Sequence, residues 1–120
     1  LEMIVLPGGL GGVHSIMASE TAMNFIRLAY EKNCLIAAIC AAPTILASLH
    51  ITDGRRATCY PGLEDQMDAA KMIPCGAVQD GNVITGRAAG SADEFGLACL
   101  RALKGEDTAR QVASDIVYRA

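Results

Sequence analysis

Short, uninterrupted apolar runs alternate with amphipathic stretches along this chain. Met3–Leu6 and Leu35–Ile39 contain only apolar residues, which is typical of strands buried in a parallel sheet. Between them, Ser19 is the predicted N-cap of an amphipathic helix that ends near Asn33. Asp80-Gly81 lies between two further strand-like segments, and this dipeptide predicts a hairpin.

The rest of the pattern extends the same alternation to the C-terminus. The other predicted elements are a flexible glycine-rich loop over 8–12, a helix over 41–47, a strand over 57–59, a helix over 63–70, strands over 73–79 and 82–85, a helix from a capping box at 91–94 through Leu103, and a helix over 107–118. This order predicts an α/β domain with a mostly parallel sheet and helices on both faces. We expect one domain over 1–120, with the first strands of its fold lying outside this chain because the sequence enters directly into a buried strand.

Composition narrows the function classes. Of the 120 residues, 52% are hydrophobic and 19% are charged, which excludes an intrinsically disordered chain. The net charge is -3 and aromatic residues make up 4%, so neither a basic footprint nor a stacking platform for nucleic acid is expected. No apolar run approaches the roughly 20 residues of a membrane span.

The cysteines indicate reduced thiols. The chain has five Cys and two His, without a CxxC motif or a spacing typical of metal ligands, so we expect no metal site. An odd, unclustered set of cysteines in an acidic chain is typical of a cytoplasmic location.

Cys40 is the residue whose position suggests chemistry. It follows the buried strand at once, and a helix begins directly after it, as in the nucleophile elbow of α/β enzymes. Such a corner needs small neighbours, and Ala38 and Ala42 stand two residues before and after. The helix N-terminus favours a thiolate, and the backbone N–H of Ala41 is a natural oxyanion donor.

The glycine loop after the first strand ends at the same sheet edge. Gly8 and Gly9 let the backbone approach a ligand closely, and the Gly9 N–H is a second candidate donor. From the pattern alone, Cys40 is as readily a small buried residue as a nucleophile. The other four cysteines are better explained as structural, and Cys59 is the least certain of them because its strand ends at the same edge.

Three motifs in order carry a family resemblance. They are Ile4–Gly9 (IVLPGG), Leu35–Pro43 (LIAAICAAP) and Thr85–Gly90 (TGRAAG), the last leading into Glu94-Phe95. On these motifs the chain resembles the ThiJ/PfpI superfamily, in the branch of the parkinsonism-associated deglycase (DJ-one). The resemblance covers the whole chain as the C-terminal two-thirds of such a protein.

This resemblance implies a flavodoxin-like α/β sandwich, a homodimer and a reactive, oxidation-sensitive Cys40 with oxyanion donors at Gly9 and Ala41. It implies conversion of glyoxal or methylglyoxal to the hydroxy acid without a cofactor, deglycation of their adducts, or redox sensing and chaperone action.

Two departures from the family pattern affect the mechanism. The family's acid/base Glu belongs to a unit that would precede Leu1, so we expect it on a missing N-terminal segment, present as a separate fragment or as part of a longer protein. Many members carry a His where Tyr60 stands, and Tyr is a poor base near pH 7. His14 is a further pocket candidate, whereas His50 lies too far along the helix.

Three hypotheses follow for the function. The first is a glyoxalase or deglycase in which Cys40 attacks small 2-oxoaldehydes or their adducts. The second is a stress sensor or chaperone in which Cys40 is oxidised without turnover. The third is a structural or amidotransferase-like domain that serves another subunit, which a fully enclosed Cys40 would favour.

Overall fold

A four-stranded sheet forms the centre of the molecule, and its strands are the apolar runs of the sequence. The computed structural model describes residues 1–119. The strands are β1 (Met3–Leu6), β2 (Leu35–Ile39), β3 (Arg56–Ala57), β4 (Lys71–Met72), β5 (Ala77–Asp80) and β6 (Val83–Gly86). The helices are α1 (Leu10–Ala18), α2 (Glu20–Glu31), α3 (Pro43–Ser48), α4 (Ala92–Lys104) and α5 (Glu106–Asp115), with short 3₁₀ turns at Glu64–Gln66 and Ala89–Ser91.

The central sheet has the strand order β1-β2-β6-β5. β1 pairs with β2, and β2 with β6, in parallel, whereas β5 and β6 form the antiparallel hairpin predicted at Asp80-Gly81. β3 and β4 form a separate two-stranded parallel sheet. The carboxyl ends of β1, β2 and β6 therefore meet at one edge, where α/β proteins place their sites.

Alternate residues of β2 face two different cores. Ile36 and Ala38 belong to the cluster that buries α1, α2 and α3, whereas Ala37 packs with Ile84 and Phe95 under α4. Helices thus cover both faces of the sheet, and the predicted α/β three-layer fold is confirmed. The predicted N-cap is also observed, since the Ser19 hydroxyl accepts a hydrogen bond from the N–H of Ala22 at 3.1 Å.

The predicted flexible loop over 8–12 is wrong in its second half, because α1 begins at Leu10. Gly11 and Gly12 each cost a helix about 1 kcal/mol relative to Ala. Val13 on this helix is buried in the core, and such tertiary packing outweighs weak helix propensity.

The segment between β3 and β5 departs most from its prediction. The helix expected over 63–70 is a single 3₁₀ turn, because Asp68 adopts a left-handed conformation (φ 45°) that no helix continues through. The strand expected over 73–79 contains Pro74, which lacks a ladder donor, and pairing starts only at Ala77.

Three smaller boundaries also differ. The strand expected over 57–59 ends at Ala57. The N–H of Thr58 donates a hydrogen bond to the hydroxyl of Thr85 rather than to the backbone of a neighbouring strand. The last helix ends at Asp115 rather than at 118. Ser91 makes no side-chain cap, so the predicted capping box is not formed.

β1 lies at an open edge of the sheet. Within residues 1–119 it pairs only with β2. Val5 on this strand and Phe25 on the neighbouring α2 are 51% and 55% exposed. An apolar groove of about 410 Å³ runs between β1 and α2. Among residues 1–119, no helix is long and apolar enough to cross a bilayer.

Thr52 predicts a stabilising substitution. Its side chain is fully buried, and its hydroxyl has no hydrogen-bond partner within residues 1–119. A buried, unpaired hydroxyl costs about 1–3 kcal/mol, so Thr52→Val should raise the free energy of unfolding in urea by about 1 kcal/mol. Thr85→Val is the matched control and should destabilise, because the Thr85 hydroxyl accepts the N–H of Thr58 at 2.9 Å. An equal decrease in the free energy of unfolding in both variants would refute this account of Thr52.

Candidate active site

Cys40 stands at a strained corner between β2 and α3. Its φ is 67°, in the left-handed region that costs a non-glycine residue about 1–2 kcal/mol. Two hydrogen bonds hold it there: its N–H donates to the Gly86 carbonyl at 3.0 Å, and its carbonyl accepts the N–H of Tyr60 at 2.8 Å. Strained residues that are held in place by their surroundings are concentrated at functional sites. The corner predicted from the sequence is therefore present.

The residues around this corner are small because there is no room for larger ones. Ala38 and Ala42 are fully buried, as the elbow pattern required. α3 begins two residues later than predicted, at Pro43, and is six residues long. Its dipole is correspondingly modest, so the free amides at the corner matter more than the helix as a whole.

Gly8 allows β1 to approach the cysteine. A Cβ added at Gly8 would lie 2.6 Å from the Cβ of Cys40, 3.3 Å from its Sγ and 3.2 Å from the carbonyl oxygen of Ile39. Cβ atoms cannot yield without backbone movement, so a side chain at position 8 is incompatible with this position of Cys40.

Cys40 opens onto a cavity of about 350 Å³. The cavity is lined by Gly9, Leu10, Cys40, Ala41, Tyr60, Pro61, Gly62 and Leu63. The structure thus brings together four of the six residues named from the sequence, with Gly8 packed directly against Cys40. The enclosed cysteine that would favour a purely structural domain is not what the structure shows.

His14 is not brought to this cavity. It is exposed on α1 and is absent from the lining. His50, as expected, lies away from the thiol, exposed and 3.1 Å from the carboxylate of Asp53. Sequence reasoning missed Leu10, Pro61, Gly62 and Leu63. The signal that could have found them is their place directly after a strand end at the same edge of the sheet.

Two amide donors at the cavity are unused by the fold. Within residues 1–119, neither the N–H of Gly9 nor that of Ala41 donates a hydrogen bond to another group. Both belong to residues that line the cavity with Cys40. Free amides beside a thiol are the arrangement that an oxyanion needs.

The other cysteines are in different environments. Burial is the main cause that raises the pKa of Cys59 from 9.0 to about 11, with smaller contributions from Glu64 and Cys40. Burial alone raises the pKa of Cys99 to about 11. The thiols of Cys34 and Cys75 lie near the carbonyls of Leu1 and Ala77. Within the described chain, no group of three or more His, Cys, Asp or Glu is placed to hold a metal.

These features define an α/β protein with a cysteine at a strand-to-helix elbow. The model of the DJ-1/PfpI family matches residues 1–102. The chain belongs to this family.

Relatives support the same assignment. The chain is 36% identical over 118 residues to Protein dj-1beta of Drosophila melanogaster, covering 97% of this chain and 63% of that protein. It is 35% identical over 121 residues to the Parkinson disease protein 7 homolog of Danio rerio, covering 98% of this chain and 64% of that protein. The chain therefore spans a little under two thirds of the length of these relatives.

The fold is shared with solved structures of the family. The crystal structure of Drosophila DJ-1beta superimposes with a TM-score of 0.91 at 36% identity, covering 98% of this chain and 64% of that one. The structure titled Toxoplasma gondii DJ-1, oxidized, matches with a TM-score of 0.91 at 27% identity, covering 98% and 65%.

The contact at Gly8 predicts how the cysteine depends on its neighbour. Gly8→Ala should displace Cys40, slow its alkylation by iodoacetamide and lower the free energy of unfolding by about 1–3 kcal/mol. The matched control is Gly12→Ala, where an added Cβ meets nothing within 4 Å. That change lies in α1 and should stabilise by about 0.5–1 kcal/mol. Peptide mass spectrometry reports the alkylation rate, and unchanged Cys40 reactivity in Gly8→Ala would contradict the prediction.

Proposed function

We propose that this protein is a cofactor-independent enzyme that acts through the Cys40 thiolate. Its substrates would be small 2-oxoaldehydes, which it converts to 2-hydroxy acids, or the adducts that these aldehydes form. One observation carries the proposal: a cysteine strained into the left-handed region opens onto a cavity beside two free amide donors. Family membership supports a DJ-1-type function, and the particular reaction is our proposal.

The first step is addition of the thiolate to the aldehyde carbon. The sulfur electron pair forms the C–S bond, the C=O pair moves onto oxygen, and a hemithioacetal results. The N–H groups of Gly9 and Ala41 hold the developing oxyanion. Donors that are already in place need no reorganisation during the reaction, which is why such sites lower the barrier.

The second step moves a proton between the two carbons. A base removes the C–H proton of the hemithioacetal and the resulting enediol is reprotonated on the neighbouring carbon, which leaves a thioester. Water then releases the hydroxy acid and restores the thiol, so the net reaction is addition of one water to the oxoaldehyde.

The base for this step is proposed to lie outside the cavity walls of this chain. None of the eight lining residues is a carboxylate or an imidazole. The resemblance assigns the role to a Glu from a unit before Leu1. The open edge of β1 and its apolar groove suit a further strand and helix, so we propose that such a segment, in the same or a separate polypeptide, completes the site.

Cys40→Ala tests the enzymatic proposal. With the purified protein, formation of 2-hydroxy acid from methylglyoxal should fall by at least about 10³-fold, because no other residue that lines the cavity carries a thiol. Cys75→Ala is the control, since Cys75 lies outside the cavity, and it should retain turnover. The intact mass of the same preparation shows whether a second polypeptide is present. Turnover that survives in Cys40→Ala would eliminate the mechanism.

A second candidate function is redox sensing by the same thiolate. It is favoured by the contrast between Cys40, which faces the cavity, and the buried Cys59 and Cys99, whose raised pKa keeps them as unreactive thiols at neutral pH. Two equivalents of hydrogen peroxide would oxidise the Cys40 thiolate to the sulfinate and yield two waters. The backbone N–H groups of Gly9 and Ala41 would donate hydrogen bonds to the sulfinate oxygens.

Selective oxidation is the expected outcome under mild peroxide. Peptide mass spectrometry should find addition of two oxygens at Cys40, with little change at Cys59 and Cys99. In Cys40→Ala the same treatment should leave the remaining four cysteines at their wild-type level of oxidation. Oxidation spread evenly over all five would show that Cys40 is not a dedicated sensor.

A further inference from the structure

We infer that Thr85 is a positioning residue for the Cys40 site, and that its buried hydroxyl fixes the direction of the Ala41 N–H. The inference rests on the proposed function, in which that N–H holds the oxyanion. It adds a residue that does not line the cavity and acts on the site through the backbone of its neighbours.

The peptide between Cys40 and Ala41 carries the proposed donor at one end and an anchor at the other. Its carbonyl accepts the N–H of Tyr60 at 2.8 Å. Because the carbonyl and the N–H of a planar trans peptide point in opposite directions, a bond that holds the carbonyl also fixes where the Ala41 N–H points. A hydrogen bond on the carbonyl polarises the peptide as well, which strengthens its N–H as a donor. The Tyr60 N–H therefore controls the Ala41 donor from the far side of the peptide.

Thr85 holds the segment that supplies this N–H. Its hydroxyl oxygen accepts the N–H of Thr58 at 2.9 Å, two residues before Tyr60. β3 pairs with β4 in the small sheet, so this bond ties the chain that leaves β3 to the central sheet. The two threonines are only 1% and 2% exposed. Residues 1–119 themselves enclose the bond, so it does not depend on any segment that covers the cavity.

Thr85 also stands next to the anchor on the other side of Cys40. The following residue on β6 is Gly86, whose carbonyl accepts the Cys40 N–H at 3.0 Å. A closed ring of contacts results, and its members in order are Thr85, Gly86, Cys40, Tyr60 and Thr58. The Thr85 hydroxyl is the one side-chain link in this ring, so it is the link that a substitution can remove.

Thr85→Val tests the inference, since valine has a similar shape but offers the Thr58 N–H no acceptor. With methylglyoxal, kcat should fall about tenfold or more at unchanged KM, because the Ala41 N–H acts on charge that develops in the transition state. Thr85→Ser keeps the hydroxyl and should restore kcat. The matched control is Thr52→Val, which changes a buried threonine whose hydroxyl has no partner within residues 1–119, and it should leave kcat unchanged.

Nuclear magnetic resonance reads the ring without turnover. In Thr85→Val, hydrogen exchange of the Tyr60 amide should quicken about tenfold or more relative to the amides of β2, which report opening of the whole fold. The nitrogen chemical shift of Ala41 should change too, because this nitrogen shares its electrons with the Cys40 carbonyl. Thr85→Ser should return both values to those of the wild type. If Thr85→Val does not fold, Thr85→Ala compared with Thr85→Ser repeats the test, since these two differ only in the hydroxyl.

The outcomes separate this inference from the proposed enzyme. Absent turnover in the wild type, together with the exchange and shift changes in Thr85→Val, would overturn the proposed enzyme and support the positioning role. Faster exchange at Tyr60 with unchanged kcat would overturn the inference. A Thr85→Val protein that matches Thr52→Val in every measurement would overturn it as well.

Discussion

The conformation of Cys40 is the constraint on which the site depends. A cysteine in the left-handed region is less stable than one in a regular strand or helix. The fold compensates with two hydrogen bonds to the backbone of Cys40 itself, one on its N–H and one on its carbonyl. The acceptor Gly86 ends β6, and the donor Tyr60 follows the β3 segment. The corner therefore forms only when three separate parts of the chain have come together, so the position of the Cys40 thiol is a property of the folded domain.

The same constraint explains the size of the residues nearby. Gly8 has no space for a Cβ beside Cys40, and a Cβ at Gly86 would meet Phe95 and Ile39. Ala38 and Ala42 are fully buried against the corner. Small residues at these positions are required because three parallel strands converge there, and close approach of their backbones exposes the thiol in a cavity instead of covering it.

The sequence predicts the parts of this molecule that short-range pattern determines. β1, β2 and the hairpin at Asp80-Gly81 are observed where continuous apolar runs and turn chemistry place them, and the Cys40 elbow follows from small residues around a strand end. The helix at Leu10 and the irregular path after Pro61 depend on tertiary burial, of Val13 and of Met67. A single sequence does not show which of several weak local preferences such burial will override.

The strand-to-helix pattern in the sequence locates Cys40 more readily than it locates the wall of the cavity. The sequence makes His14 a pocket candidate because it follows Gly9 at the carboxyl edge of the sheet, but it lies exposed on α1. Leu10 carries no catalytic signal in the sequence, yet the structure places it in the lining of the Cys40 cavity together with the predicted Tyr60. A search for reactive groups therefore finds the cysteine and its neighbouring amides before it finds the apolar residues around them.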